Sequence, residues 1–250
     1  MEKVSLCYIA QGSCFRAIHS FQSLGFAIKE KEVEFIVKDA PKQYIKTVGD
    51  IEVELFVIDR TNDEKTAEYF TPIATNLTSK DVPLACLLND VIRMATGDYV
   101  CIIPTGIFLQ NDWLIDLIFY FKNIDNVGVV GISDKINNLS FLPTPSKDTE
   151  ELTNVLIGDN DCIEGLFFTN RQHFYLVGAF DQDPKLEGEE FNQFCVRAKK
   201  MGMINFYVPS NNCIYNAFGN ISNKEKQKAK EYLINSILEM SKTKSYYIPL

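Results

Sequence analysis

Asn89-Asp90-Val91-Ile92-Arg93-Met94-Ala95-Thr96-Gly97-Asp98-Tyr99-Val100-Cys101-Ile102-Ile103-Pro104-Thr105-Gly106, followed after four apolar and polar residues by Asn111-Asp112-Trp113-Leu114, is the stretch that decides the fold. A helix is expected to end at Gly97, where glycine takes a left-handed cap at no steric cost. The apolar, β-rich run 99–103 has the length and composition of a buried parallel strand. Pro104 and Gly106 break that strand at its carboxyl end, which is where open α/β sheets bind ligands.

The pattern repeats outward from there. Residues 4–9 read as a first strand. Gln11-Gly12-Ser13 makes a turn, and Ser13 can cap a helix that runs to Leu24. In that helix Phe15, Ile18, Phe21 and Leu24 form a stripe expected to face the sheet. Residues 33–37 are a second possible strand, ending near Asp39. Residues 53–59 are a better one and end on the carboxylate Asp59. A polar loop, Arg60-Thr61-Asn62-Asp63-Glu64-Lys65-Thr66, leads into a short helix through Phe70. Alternation of strand and helix predicts parallel βαβ units.

Beyond the central stretch, 113–121 reads as a helix capped at Asn111 or Asp112, and 127–131 as another buried strand. Residues 134–160 hold Pro143, Pro145 and a run of acids, and read as an excursion between two halves. Order returns over 167–180. A helix spans 189–201, closed by Gly202, and strands follow at 204–208 and 213–215. The tail from 222 to 244 reads as a lysine-rich helix. No internal repeat or low-complexity tract is visible.

Together these segments resemble the family 2 glycosyltransferases, enzymes of the GT-A fold, from Lys3 to about Asn220. The Ala-x-Gly-Asp-Tyr run before an apolar strand and the later Trp113-Leu114 carry the resemblance. So do Val57-Ile58-Asp59 with its polar loop, Gly178-Ala179-Phe180-Asp181, and the acidic helix start Glu189-Glu190 with Arg197 downstream. The resemblance implies a mixed, mostly parallel α/β sheet flanked by helices. It implies a GT-A-like domain over 1–221, with a C-terminal helix and tail over 222–250. It implies transfer of a sugar from a nucleotide-sugar, with inversion, in surface glycan or protein glycosylation. The acceptor would be a glycan or a protein.

Residue by residue, Asp59 stands where the family contacts base or ribose, and a carboxylate there can accept charge-assisted hydrogen bonds. Asp39 competes for that role. Asn89 and Arg93 stand on the helix near the donor; the plainer reading of Arg93 is an exposed helix cation. Either Glu189 or Glu190 occupies the position of the general base, which takes the acceptor hydroxyl's proton. Acids at a helix start are also favoured by the helix dipole. Two departures matter. Pro104-Thr105-Gly106 stands where the family's Asp-x-Asp holds a divalent cation, leaving Thr105 as the one side chain with an oxygen. Asn216 replaces a further histidine ligand. The expectation is therefore a nucleotide-sugar as co-substrate, with no tightly bound cofactor and no divalent metal. The rival reading is a catalytically silent GT-A-like domain that binds a glycan, a nucleotide or a partner glycosyltransferase.

Composition bounds the rest. Of 250 residues, 46% are hydrophobic and 23% charged, an ordinary globular balance, and the net charge of −8 argues against a nucleic-acid surface. No secretory signal or membrane-length apolar run is read, so a cytoplasmic protein is expected. The seven cysteines lack any Cys-x-x-Cys spacing and read as reduced core residues. His19 and His173 read as structural, and a homodimer is left open as a partner.

Overall fold

The computed structural model describes residues 2–26, 45–48, 51–78, 81–109, 113–133, 163, 165–209 and 213–215. The strands are β1 (Glu2–Ala10), β2 (Ile45–Val48), β3 (Ile51–Asp59), β4 (Thr75–Thr78), β5 (Tyr99–Pro104), β6 (Ile107–Leu109), β7 (Val127–Ser133), β8 (Phe167–Asn170), β9 (Ile204–Pro209) and β10 (Cys213–Tyr215). The helices are α1 (Cys14–Phe26), α2 (Glu64–Phe70), α3 (Leu84–Met94), α4 (Trp113–Asn123), α5 (His173–Val177) and α6 (Glu190–Lys200), with a 3-10 turn at Pro184–Leu186.

The main sheet runs β2-β3-β1-β5-β8-β7-β9, and β4 also pairs with β3. The parallel neighbours are β1 with β3 and β5, β3 with β4, and β7 with β9. β8 is antiparallel to both β5 and β7. The outer edge of β3 is shared: β2 lies antiparallel along its first half, and β4 parallel along its second. β6 and β10 form a separate antiparallel pair. This is the mixed, mostly parallel α/β sheet flanked by helices that the alternation of elements implies.

Burial on both faces explains the near-continuous apolar strands. Successive side chains point to opposite faces. Leu6, Tyr8 and Ala10 of β1 join Val53, Leu55, Val57, Cys101 and Ile103 under Phe21, Leu24, Phe70, Trp113 and Leu117. Cys7 and Ile9 join Phe56, Ile58, Val100 and Ile102 under Leu88, Val91, Phe167 and Phe194. Burial pushes the Cys7 and Cys101 thiols up, so both stay protonated.

At the amino end of the strands one carboxylate ties three segments together. Glu54 of β3 accepts from the Ser5 hydroxyl of β1, from Thr96 N at 2.5 Å, from Thr96 Oγ1 at 2.7 Å and from Gly97 N at 3.1 Å. Burial pushes its carboxyl up, but the Ser5 and Thr96 bonds and the Lys3 charge outweigh that, so the net shift is downward.

Two expectations need correction here. Helix α3 ends at Met94, three residues before Gly97, and Gly97 does not adopt a left-handed conformation. Glycine is required there because a Cβ would stand 2.5 Å from Ser5 N and 2.6 Å from Ser5 Oγ. The stripe of α1 is also rotated from the one expected. Ala17, Ser20, Phe21 and Leu24 are the buried positions, while Phe15 is 79% exposed and stacks on His19. The polar anchors set that rotation: Tyr8 Oη donates to Ala17 O at 2.7 Å, and Ser20 Oγ donates to Ile107 O at 3.0 Å. Gly202 does close α6 with a positive φ of 82°. The expected strand at 33–37 with Asp39, the caps Asn111 and Asp112, the excursion at 134–160, Asn216 and the tail over 222–250 lie outside the described residues.

Two outcomes follow from the Glu54 cluster. Gly97→Ala must move backbone, because the nearest atom is Ser5 N, and it should cost about 1–3 kcal/mol in urea unfolding. Glu54 titrates lower in the folded chain than in the unfolded one. Its contribution is complete above the ordinary carboxylate range and is lost as pH falls through the lowered value. Glu54→Gln should therefore narrow the stability gap between pH 7 and pH 3; an unchanged gap would show that other groups set the acid limb.

Candidate functional site

The carboxyl ends of β1, β3 and β5 stand side by side. Ala10 is in register with Asp59, and Ile9 with Pro104. With strands about 4.8 Å apart, Asp59 and Pro104 face each other across β1 at roughly 10 Å. Backbone bonds close this edge: Arg60 N donates to Ala10 O at 2.7 Å and Thr105 N to Ile9 O at 2.9 Å.

Asp59 is buried and shapes its own loop. Its Oδ1 accepts from Thr61 N at 2.9 Å and from Thr61 Oγ1 at 2.8 Å. Asp63 then caps α2 through Lys65 N. Thr105 is turned inward. Its Oγ1 lies 3.0 Å from each of Tyr8 Oη, Gln11 N and Ile9 O, which stitches the ends of β1 and β5 together. Gly106 N donates to Ser20 Oγ at 3.0 Å.

The residues at the end of β5 do not fit a divalent cation. Pro104 offers no ligand, Gly106 has no side chain, and the Thr105 hydroxyl is engaged by three protein groups. Among the described residues no group of three or more His, Cys, Asp or Glu is placed to hold a metal ion.

Asn89 and Arg93 share α3 but not a location. Asn89 is fully buried, and its side-chain amide bonds both ways to the Phe180 backbone. Nδ2 donates to Phe180 O, and Phe180 N donates to Oδ1, each at 2.9 Å. Arg93 is half exposed in the last turn, paired with Asp90 at 2.5 Å. That turn lies beside the Thr96–Glu54 contacts at the amino end of the strands, so the structure does not bring Arg93 to Asp59.

The segment 178–181 is gripped a second time by α6. Arg197, buried within the protein, donates through Nη2 to Ala179 O at 2.5 Å. The Phe180 ring packs among Phe167, Phe174, Phe191 and Phe194. The start of α6 is thereby fixed beside this segment. Glu189 Oε2 accepts from Asn192 Nδ2 at 2.6 Å. The Glu190 carboxylate accepts twice from Gly188 N, at 3.2 and 3.0 Å. Burial pushes the Glu190 carboxyl up; its backbone bonds oppose this, and the charges of Glu187 and Glu189 add to it.

Arg60 links the two sides, and the sequence reading passed over it as part of a polar loop. It stands next to Asp59. Its Nη1 donates to Val82 O at 2.8 Å, and its Nη2 pairs with Glu187 Oε1 at 3.2 Å. The pair is too exposed to add much stability. It is a contact between the residue after Asp59 and Glu187, just ahead of α6. His173 serves the core instead. Its Nδ1 lies 3.0 Å from Thr169 Oγ1 and 3.2 Å from Gly128 O, and burial lowers its proton affinity.

No family model matches the chain, and no curated protein matches it. Solved structures do. The mannosyltransferase PcManGT of Pyrobaculum calidifontis, solved with GDP-Man and Mn2+, superposes with a TM-score of 0.64 over 98% of this chain, at 14% identity. TarS of S. aureus, residues 1–349, superposes with a TM-score of 0.53 over 92% of this chain, at 15% identity. The same protein with UDP-GlcNAc gives 0.52 over 94%, at 14% identity. The fold is GT-A-like. The chain spans 65% of the mannosyltransferase chain and 70% and 66% of the two TarS chains. Among the described residues no helix is long and apolar enough to cross a membrane.

The electrostatics of α6 can be checked directly. Carboxyl carbon NMR should find Glu190 titrating above the ordinary glutamate range. Glu187→Gln removes one of the charges that raise it and should move the midpoint down. Because its folded value is raised, Glu190 favours the folded state at low pH and loses that contribution as pH rises through the folded value. Glu190→Gln should accordingly be at least as stable as the parent at pH 7.

Proposed function

We propose that the chain is a family 2-like glycosyltransferase that moves a sugar from a nucleotide-sugar to a glycan or protein acceptor, with inversion and without a tightly bound metal ion. The observation that supports this reading is the Arg60–Glu187 contact, which links the residue after Asp59 to the segment just ahead of α6. The donor's base or ribose would rest on Asp59 and its loop. Glu190 would take the proton of the acceptor hydroxyl as that oxygen bonds to the anomeric carbon and the nucleoside diphosphate departs. Its raised proton affinity suits a base working near neutral pH. Glu189, oriented by Asn192, is the second candidate. Asn89 would act by holding the segment 178–181, which stands where the family lines its acceptor side, and Thr105 by fixing the strand ends. Surface glycan or protein glycosylation is the setting this chemistry suits.

A second reading rests on Thr105. Its hydroxyl faces inward at the point where the related fold would place metal-binding carboxylates. A GT-A-like domain built this way can bind a glycan, a nucleotide or a partner glycosyltransferase without catalysing transfer.

A hydrolysis and transfer screen over common nucleotide-sugars separates the two. Under the transferase reading, Glu190→Gln or Glu189→Gln should lose roughly a hundred- to ten-thousandfold in turnover. Nucleotide affinity should survive in both variants, and Asp59→Ala should weaken it by about tenfold or more. Millimolar manganese should leave the melting temperature unchanged with or without a nucleoside diphosphate. No turnover with any donor, alongside binding of a glycan or another transferase, establishes the silent domain instead. A clear manganese-dependent rise in melting temperature would falsify the metal-free reading.

A further inference from the structure

We draw no further inference here: the strongest candidate, the group of exposed apolar side chains Met94, Phe119, Tyr175, Leu176 and Met201 on α3, α4 and α5 and just after α6, carries nothing, because nothing in the structure shows what covers it.

Discussion

Glu54 is a carboxylate taken almost wholly out of water, and it stays charged because two other chain segments supply donors to it. Ser5 comes from β1, Thr96 and Gly97 from the connection between α3 and β5, and Glu54 itself from β3. A buried charge is tolerable only when its lone pairs are filled, and removing one donor leaves the rest of the cost uncompensated. The arrangement therefore fixes the relative register of the three central strands. A slip by one residue would carry every apolar side chain to the wrong face. What lies at the far end of these strands, Asp59 and Pro104 flanking Ala10, is a consequence of that register.

The far end is built from polar groups that mostly serve the fold. Thr105 stitches β1 to β5, Asp59 closes its own loop, and Asn89 holds Phe180 from both sides. Arg60 and the acids of residues 187–190 are likewise held by bonds within the protein. A GT-A-like framework can therefore stand with Pro104, Thr105 and Gly106 at the end of β5. The framework is maintained by hydroxyls and amides that bond to backbone, and those do not depend on a cation.

Strands β1, β3, β5 and β7 were legible because both their faces are buried, which writes continuous apolar runs into the sequence. The short strands β2 and β4 were not, since Ile45–Val48 and Thr75–Thr78 are edge pieces whose pairing depends on β3 and leaves little periodic signal. Gly97 was read as a cap because local sequence shows only that glycine is needed. The reason, a close approach by Ser5 from 92 residues earlier, is non-local. The α1 stripe failed similarly: two polar anchors, Tyr8 and Ser20, outweighed the apolar spacing and left Phe15 outside. Of the candidate site, the acids at 189–190 and the carboxylate at 59 were visible as types and positions. Arg60 was not, because its meaning comes from partners across the fold.

The antiparallel strand β8 lies between β5 and β7, which do not hydrogen-bond to each other. Residues 99–104 and 127–133 are thus synthesised first, and each presents an unsatisfied backbone edge until residues 167–170 arrive. Such edges invite pairing with other chains. Closing the sheet joins residues far apart in the chain, the condition under which folding is slow. A ribosome-bound chain halted short of Asn170 would carry the free edge of β5 and both edges of β7, because β9 comes later still, so its backbone is most open to other chains before β8 and β9 emerge.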